Sequence, residues 1–290
     1  QDFSAKIIFG SGEKTGVVFP EEAFIDRLSR FILKCIDEAE IDKSRIAGVG
    51  IAMPGLIGQE NGCVMFSPDF GWRDIPLQQS LSKKLPYPVL VENANRALAL
   101  AESDGLLAEG VLDRHTTLCV NLGHGIGAAL VQNGRLYYGS SGTSGEIGHI
   151  TVNKDGPLCS CGNSGCLEAV ASGEAIARQA RDAIQSKVST TLLQKAGSLE
   201  EIDAKVVFDA ALEGDAVAVS IIDRAAEYIG IGIAMAVNLL DPDKVILCGG
   251  LTKNGKPFFD KVNESFEKHR MRQAGRCVTL SLGKKGDYST

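Results

Sequence analysis

"TTLCVNLGHGIGAALVQNGRLYYG", residues 116–139, is the stretch on which the fold turns. It reads as two apolar strands split by a glycine turn, followed by a hairpin on Asn133-Gly134, a dipeptide that accepts the positive φ angles of a type I′ turn. A strand pair of this texture marks the start of a second lobe. The residues before it alternate helix and strand. "EEAFIDRLSRFILKCIDEAEI" (21–41) sets Phe24, Leu28, Phe31, Ile32, Cys35, Ile36 and Ala39 on one helical face, and the short apolar "RIAGVGIAM" (45–53) runs into the loop "PGLIGQENG" (54–62). A helix near 76–84, a strand in "YPVLVE" (87–92) and a helix over 95–109 follow. Past the hairpin, helices are expected at 172–186, 205–213 and 215–239, with a buried strand in "KVILCGGL" (244–251). This alternation predicts an α/β fold with a largely parallel sheet, divided into lobes at 1–112 and 113–290.

The bulk properties narrow the function. A chain of 290 residues with 44% hydrophobic content can bury a substantial core. Its formal charge of −6 argues against a broad nucleic-acid or membrane surface on these residues, because phosphate binding needs clustered Lys and Arg. No apolar run reaches the roughly 20 residues that span a bilayer, and the N-terminus lacks a signal-peptide layout, so a cytoplasmic location is expected. Both ends read as cut, Gln1 leading straight into the strand-like "SAKIIF" (4–9) and Thr290 following "CVTLSLG" (277–283).

Eight cysteines are too dilute for a disulfide scaffold. Cys35, Cys63, Cys119, Cys248 and Cys277 lie in apolar segments and read as buried thiols. The other three crowd into "PLCSCGNSGC" (157–166), and with His149 they make His149-x9-Cys159-x-Cys161-x4-Cys166. One imidazole and three thiolates are the donor set of a closed structural zinc site, which leaves no open position on the metal. Reduced thiols beside an unrelated histidine, or a disulfide, are the alternatives. Glu146 and Glu168 flank this motif. If a metal pins residues 149 and 166, the two carboxylates converge on a polar pocket of the kind that grips sugar hydroxyls; taken alone, each reads as a solvated surface residue. Gly123, Gly125 and Gly127 resemble a phosphate-cradling turn, and Gly249-Gly250 ends a buried strand, but close backbone packing explains such glycines equally well.

The stretch "GHGIGAALVQNGRLYYGSSGTSGEIGHITVNKDGPLCSCGNSGCLEAVAS" (123–172) resembles the signature region of the ROK family of repressors, open reading frames and sugar kinases. "GVGIAMPGLI", "SPDFGW", "PVLVENANRALALAE" and "VNLLDPDKVILCGGL" match in the family's order. The resemblance implies a two-lobed, actin-like, hexokinase-type (ribonuclease H-like) α/β fold with a sugar in the cleft and a zinc loop beside it. It places Asn93, Glu146, His149 and Glu168 around the sugar, with Asp69 contributing, zinc on His149, Cys159, Cys161 and Cys166, and a nucleotide near Gly123, Gly125, Gly127, Gly249 and Gly250.

Departures from the pattern bear on activity. Family kinases carry a catalytic Asp after the Asn of an Asn-Asp pair, as general base toward the attacking sugar hydroxyl; here that position is Ala94. Gly123-His124-Gly125 stands where the kinases have Gly-Thr-Gly, and the Asp-x-Gly-Gly-Thr loop is not among these residues. The expectation is a sugar-sensing repressor's effector-binding portion, homodimeric, touching DNA through a winged helix outside this chain. An ATP- and Mg²⁺-dependent, glucokinase-like sugar kinase is the alternative.

Overall fold

A computed structural model describes residues 9–13, 20–108, 115–273 and 278–284, the side chains of 104–108 excepted. Most of the expected strand at 4–9, the boundary at 112/113 and Cys277 lie outside the described residues. The chain forms two compact units that divide between Ala94 and Asn95.

The first unit opens with α1 (Glu21–Glu38), whose apolar face carries the buried Ile25. Then come β1 (Val49–Met53), β2 (Leu56–Ile57), β3 (Val64–Ser67), β4 (Trp72–Ile75), α2 (Leu77–Ser82) and β5 (Val89–Asn93). β1 and β5 pair in parallel, so Met53 lies opposite Asn93, while β2, β3 and β4 form an antiparallel meander. Phe24, Phe70 and Trp72 meet with ring centroids 5.1–5.2 Å apart. The two contacts of Phe24 are edge-to-face and that of Phe70 with Trp72 is tilted, and together they add to the apolar burial of Val64, Leu77 and Leu81.

α3 (Ala94–Ala108), in the second unit from Asn95 onward, sends Leu98 and Ala99 onto a sheet built from β6 (Thr116–Leu122), β7 (Ile126–Gln132), β8 (Arg135–Tyr137), β9 (Lys244–Cys248) and β10 (Thr279–Leu282). Its order is β10-β9-β6-β7-β8. The helices between β8 and β9 are α4 (Leu167–Ala171), α5 (Gly173–Gln185), α6 (Leu192–Ala196), α7 (Ala204–Leu212) and α8 (Ala216–Leu240); α9 (Lys256–His269) precedes β10. α8 is the central helix of the core, with Ile221, Ala225, Ile229, Ile233 and Val237 at spacing four. Gly230 lets α9 close on it: a Cβ there would stand 2.5 Å from that of Ser265.

Two expectations need correction. The sheet is mixed, not largely parallel: β6 pairs in parallel with β9, and β9 with β10, but β6–β7 and β7–β8 are antiparallel. The cause is local. The Gly123–Gly125 turn and the Asn133-Gly134 hairpin, with φ of 53° and 71°, reverse the chain at once, whereas the parallel neighbours β6 and β9 are joined by a long helical crossover. Among the buried thiols, Cys119 and Cys248 are as expected, but Cys35 and Cys63 are only partly covered, because each lies at the margin of the smaller first unit. Among the described residues no helix is long and apolar enough to cross a membrane.

Candidate functional site

The cysteine loop is shaped by its glycines. After the 3-10 turn Ile147–His149 the chain bridges Thr151 to Cys166, and the Gly165 carbonyl accepts from the amides of Val152 (2.9 Å) and Asn153 (3.2 Å). Gly165 has φ of 70°, and a Cβ there would fall 1.5 Å from the Asn153 carbonyl oxygen, so no other residue fits. Cys159 N–H donates to the Asn163 carbonyl (2.7 Å) and Gly162 N–H to that of Cys159 (3.0 Å), closing a tight turn around the thiols.

The donor atoms of His149, Cys159, Cys161 and Cys166 all lie within 4.8 Å of one another. Cys159 Sγ is 3.6 Å from His149 Nδ1, and Cys161 Sγ is 3.6 Å from Cys166 Sγ. A tetrahedral zinc with Zn–S near 2.3 Å and Zn–N near 2.0 Å requires ligand-to-ligand edges of about 3.5–3.8 Å. Two edges already have about that length, and the set spans no more than 4.8 Å, so the four donors suit such an ion once the longer edges contract by up to about 1 Å. Burial, then the crowding of Cys161 and Cys159, pushes the Cys166 thiol up to about 12, while the Asn163 amide lowers that of Cys161. A divalent cation among the sulfurs would reverse this, since coordination favours the thiolate.

His149 faces two ways. Nδ1 turns to the thiols, and Nε2 lies 3.9 Å from Glu146 Oε2. Glu168 stands in the first turn of α4, two residues past Cys166, and its Oε2 accepts the Ile126 amide at 2.9 Å. Gly148 packs directly against the Ile126 carbonyl, with the Cβ of Glu168 alongside. Cysteine loop, β6–β7 turn and both carboxylates are thus one contiguous assembly within the second unit. Burial raises the Glu146 carboxyl, opposed by His149 and Arg96 and reinforced by Glu168; the side chain keeps 46% exposure and can reach solvent or a ligand.

Asn93, Ala94 and Asp69 belong to the first unit. Asn93 ends β5, and its Nδ2 donates to the Gly55 carbonyl at 2.8 Å. Asp69 is exposed in the turn between β3 and β4. Ala94 is the first residue of α3. Beside it, Glu92 Oε1 accepts the Asn93 amide at 2.7 Å, and Asn95 Oδ1 accepts from Asn121 Nδ2 at 2.9 Å.

The glycines divide into two groups. A Cβ at Gly125 would lie 2.5 Å from Glu168 Oε2, one at Gly127 2.0 Å from Asn95 Nδ2, and one at Gly249 2.3 Å from Asn121 Oδ1, so close packing accounts for these three. Gly123 and Gly250 meet open space or distant contacts. The Gly123 and His124 carbonyls accept the first amides of α5, those of Gly173 (2.9 Å) and Glu174 (3.1 Å), and Ser172 Oγ caps Ala175. Arg96 and Asn121, which sequence reasoning does not single out, adjoin these residues: Arg96 is buried on α3 along with Glu102 and Ser103, and Asn121 bonds to Asn95.

The ROK family pattern matches residues 12–289. This chain belongs to the ROK family. Its fold is the α/β, actin-like, hexokinase-type fold of ROK sugar kinases and repressors. A glucokinase of Halalkalibacterium halodurans is 36% identical over 246 residues, 84% of this chain and 74% of that protein. A putative xylose repressor of Caldicellulosiruptor sp. (strain Rt8B.4) is 32% identical over 267 residues, 92% of this chain and 66% of the repressor. The crystal structure of a ROK family transcriptional regulator, a homologue of the E. coli MLC protein, superposes with a TM-score of 0.75 at 31% identity, covering 89% of this chain. The chain spans 63% of that regulator's length.

Proposed function

We propose that this ROK chain is the sugar-binding, effector-sensing part of a transcriptional repressor. The observation that carries the reading is Ala94. It occupies the position where the family's kinases bear their general base, and an alanine cannot accept a proton. Nor do its neighbours replace it, since Glu92 is turned onto the Asn93 amide and Asn95 onto Asn121. Losing a general base costs on the order of 10² to 10⁴ in rate, yet carboxylates suited to sugar hydroxyls, Glu146 and Glu168, are retained. A chain that keeps recognition without the base fits sensing better than turnover.

In this reading Asn93, Asp69, Glu146, His149 and Glu168 contact the sugar, and the protein works as a homodimer that meets DNA through a segment outside the 290 residues. A zinc ion held by His149, Cys159, Cys161 and Cys166 supplies structure alone, fastening the chain between Glu146 and Glu168. Elemental analysis of unchelated protein should then find about one zinc per chain, and less than about half would remove the metal from the proposal.

The second reading, an ATP- and Mg²⁺-dependent sugar kinase, is favoured by the 36% identity to a glucokinase. Calorimetric titration with D-glucose, D-xylose and N-acetylglucosamine, paired with a coupled ADP-release assay on the same sugars, separates the two. Saturable binding without turnover is expected. Turnover that Glu168→Ala abolishes would make the protein a kinase, and failure of all three sugars to bind would sink the sugar site as assigned.

A further inference from the structure

Residues 139–145, "GSSGTSG", lead from β8 to Glu146 and contain no apolar side chain, so no hydrophobic burial holds them. Gly139, Gly142 and Gly145 all take positive φ, 72°, 75° and 92°. Such a segment loses much conformational entropy when ordered, and polar contacts must offset the loss. Its far end is fixed by Ala128 N–H donating to the Gly145 carbonyl at 3.1 Å, and its near end by Ser144 N–H donating to the Tyr138 carbonyl at 3.1 Å.

The middle of the loop is held from elsewhere in the second unit. Arg96, on α3 and 4% exposed, donates through Nη2 to the Gly142 carbonyl, and its guanidinium lies over the Tyr138 ring, 4.8 Å from the centroid. One planar cation thus grips the loop's apex and stacks on its entrance. A lysine, a point charge without a flat face, can do one of these but not both.

We infer that Arg96 is the positioning residue that sets loop 138–146, and through it Glu146, in register with His149 and Glu168. The inference rests on the assignment of Glu146 to the sugar site. With Arg96 only 4% exposed and its guanidinium against the loop, the proposed role is exercised through the loop.

The test compares the full-length chain with Arg96→Met, Arg96→Lys and Tyr138→Leu, all checked for equal metal content. In hydrogen-exchange mass spectrometry, Arg96→Met should raise exchange in the peptide covering 138–146 by about tenfold or more while β6, β9 and residues 150–166 keep wild-type protection. Tyr138→Leu and Arg96→Lys should fall between. In titrations with D-glucose and D-xylose, Arg96→Met should weaken whichever sugar the wild type binds by about tenfold or more, with partial recovery in Arg96→Lys. Unchanged exchange in 138–146, a uniform rise across the second unit, or wild-type affinity in Arg96→Met would overturn the inference. If neither sugar binds the wild type, the sugar assignment of Glu146 fails, and the exchange pattern alone still decides whether Arg96 orders the loop.

Discussion

At Gly125 a single methyl group is enough to disturb the site. A Cβ there would lie 2.5 Å from Glu168 Oε2, the oxygen that accepts the Ile126 amide. The carboxylate would have to swing away and leave that part-buried amide without its acceptor, a loss of roughly 1 kcal/mol. Gly125→Ala should therefore destabilise the protein by about that amount in urea titrations and weaken sugar binding nearly as much as Glu168→Ala does, with the metal content unchanged. Sugar affinity equal to wild type in calorimetry would show that Glu168 has no fixed role. The residue scale also shows what a sequence can display. The clustering of His149, Cys159, Cys161 and Cys166 is legible because four donors carried by one short stretch are written in its spacing. The partnership of Glu168 with Gly125 is not, because it exists only once the β6–β7 turn has been brought against α4; until then the glycine resembles a phosphate turn as much as a packing contact.

Among the elements, α8 is anchored by one side chain. Asp215 caps it, with Oδ1 accepting from the amides of Val217 (3.0 Å) and Ala218 (2.9 Å), while Oδ2 accepts from Thr190 Oγ1 (2.9 Å), Thr191 N (2.7 Å) and Thr191 Oγ1 (2.9 Å) at the start of α6. Burial pushes its carboxyl up, but the bonds from Thr191, Ala218 and Thr190 outweigh it and bring the pKa down to about 2. A depressed carboxyl contributes stability that is complete above its unfolded value near 3.8 and is lost as the pH falls through about 2. Asp215→Ala should cost about 2 kcal/mol at pH 7. The gap between variant and wild type should shrink between roughly pH 4 and pH 2 in chemical denaturation; a gap that persists at pH 2 would mean that packing rather than the ionised cap sets it. Sequence periodicity finds α8 because twenty-five residues repeat its pattern. It misses β2, β3 and β4, which are two to four residues long and offer too few alternations to register. Helix α9 carries a signal that the sequence reading leaves unused: Phe258, Val262 and Phe266 recur every four residues behind Pro257.

The two compact units differ in how much apolar surface holds them. Among the described residues, the second encloses α8 between α4, α5, α7 and α9 against a five-stranded sheet, whereas the first packs two helices on a two-stranded and a three-stranded sheet, small sheets with little stability of their own. The chain's single tryptophan, Trp72, is 4% exposed in the core of the first unit, while seven of the nine helices of the described residues, α3 to α9, lie in the second. Trp72 fluorescence therefore reports one unit, and far-UV ellipticity chiefly the other. In urea, fluorescence should change at the lower concentration, because the unit with less buried apolar surface unfolds first. Coincident transitions with the same slope would show that the units unfold as one. Chelation sharpens the comparison, since His149 and the three cysteines all belong to the second unit: a ligand that binds only folded protein stabilises the part that holds it. If the four donors hold zinc, as proposed, its removal should move the ellipticity transition down by roughly 1 M urea or more and leave the fluorescence transition in place; an equal shift of both would tie the metal to the stability of the whole chain.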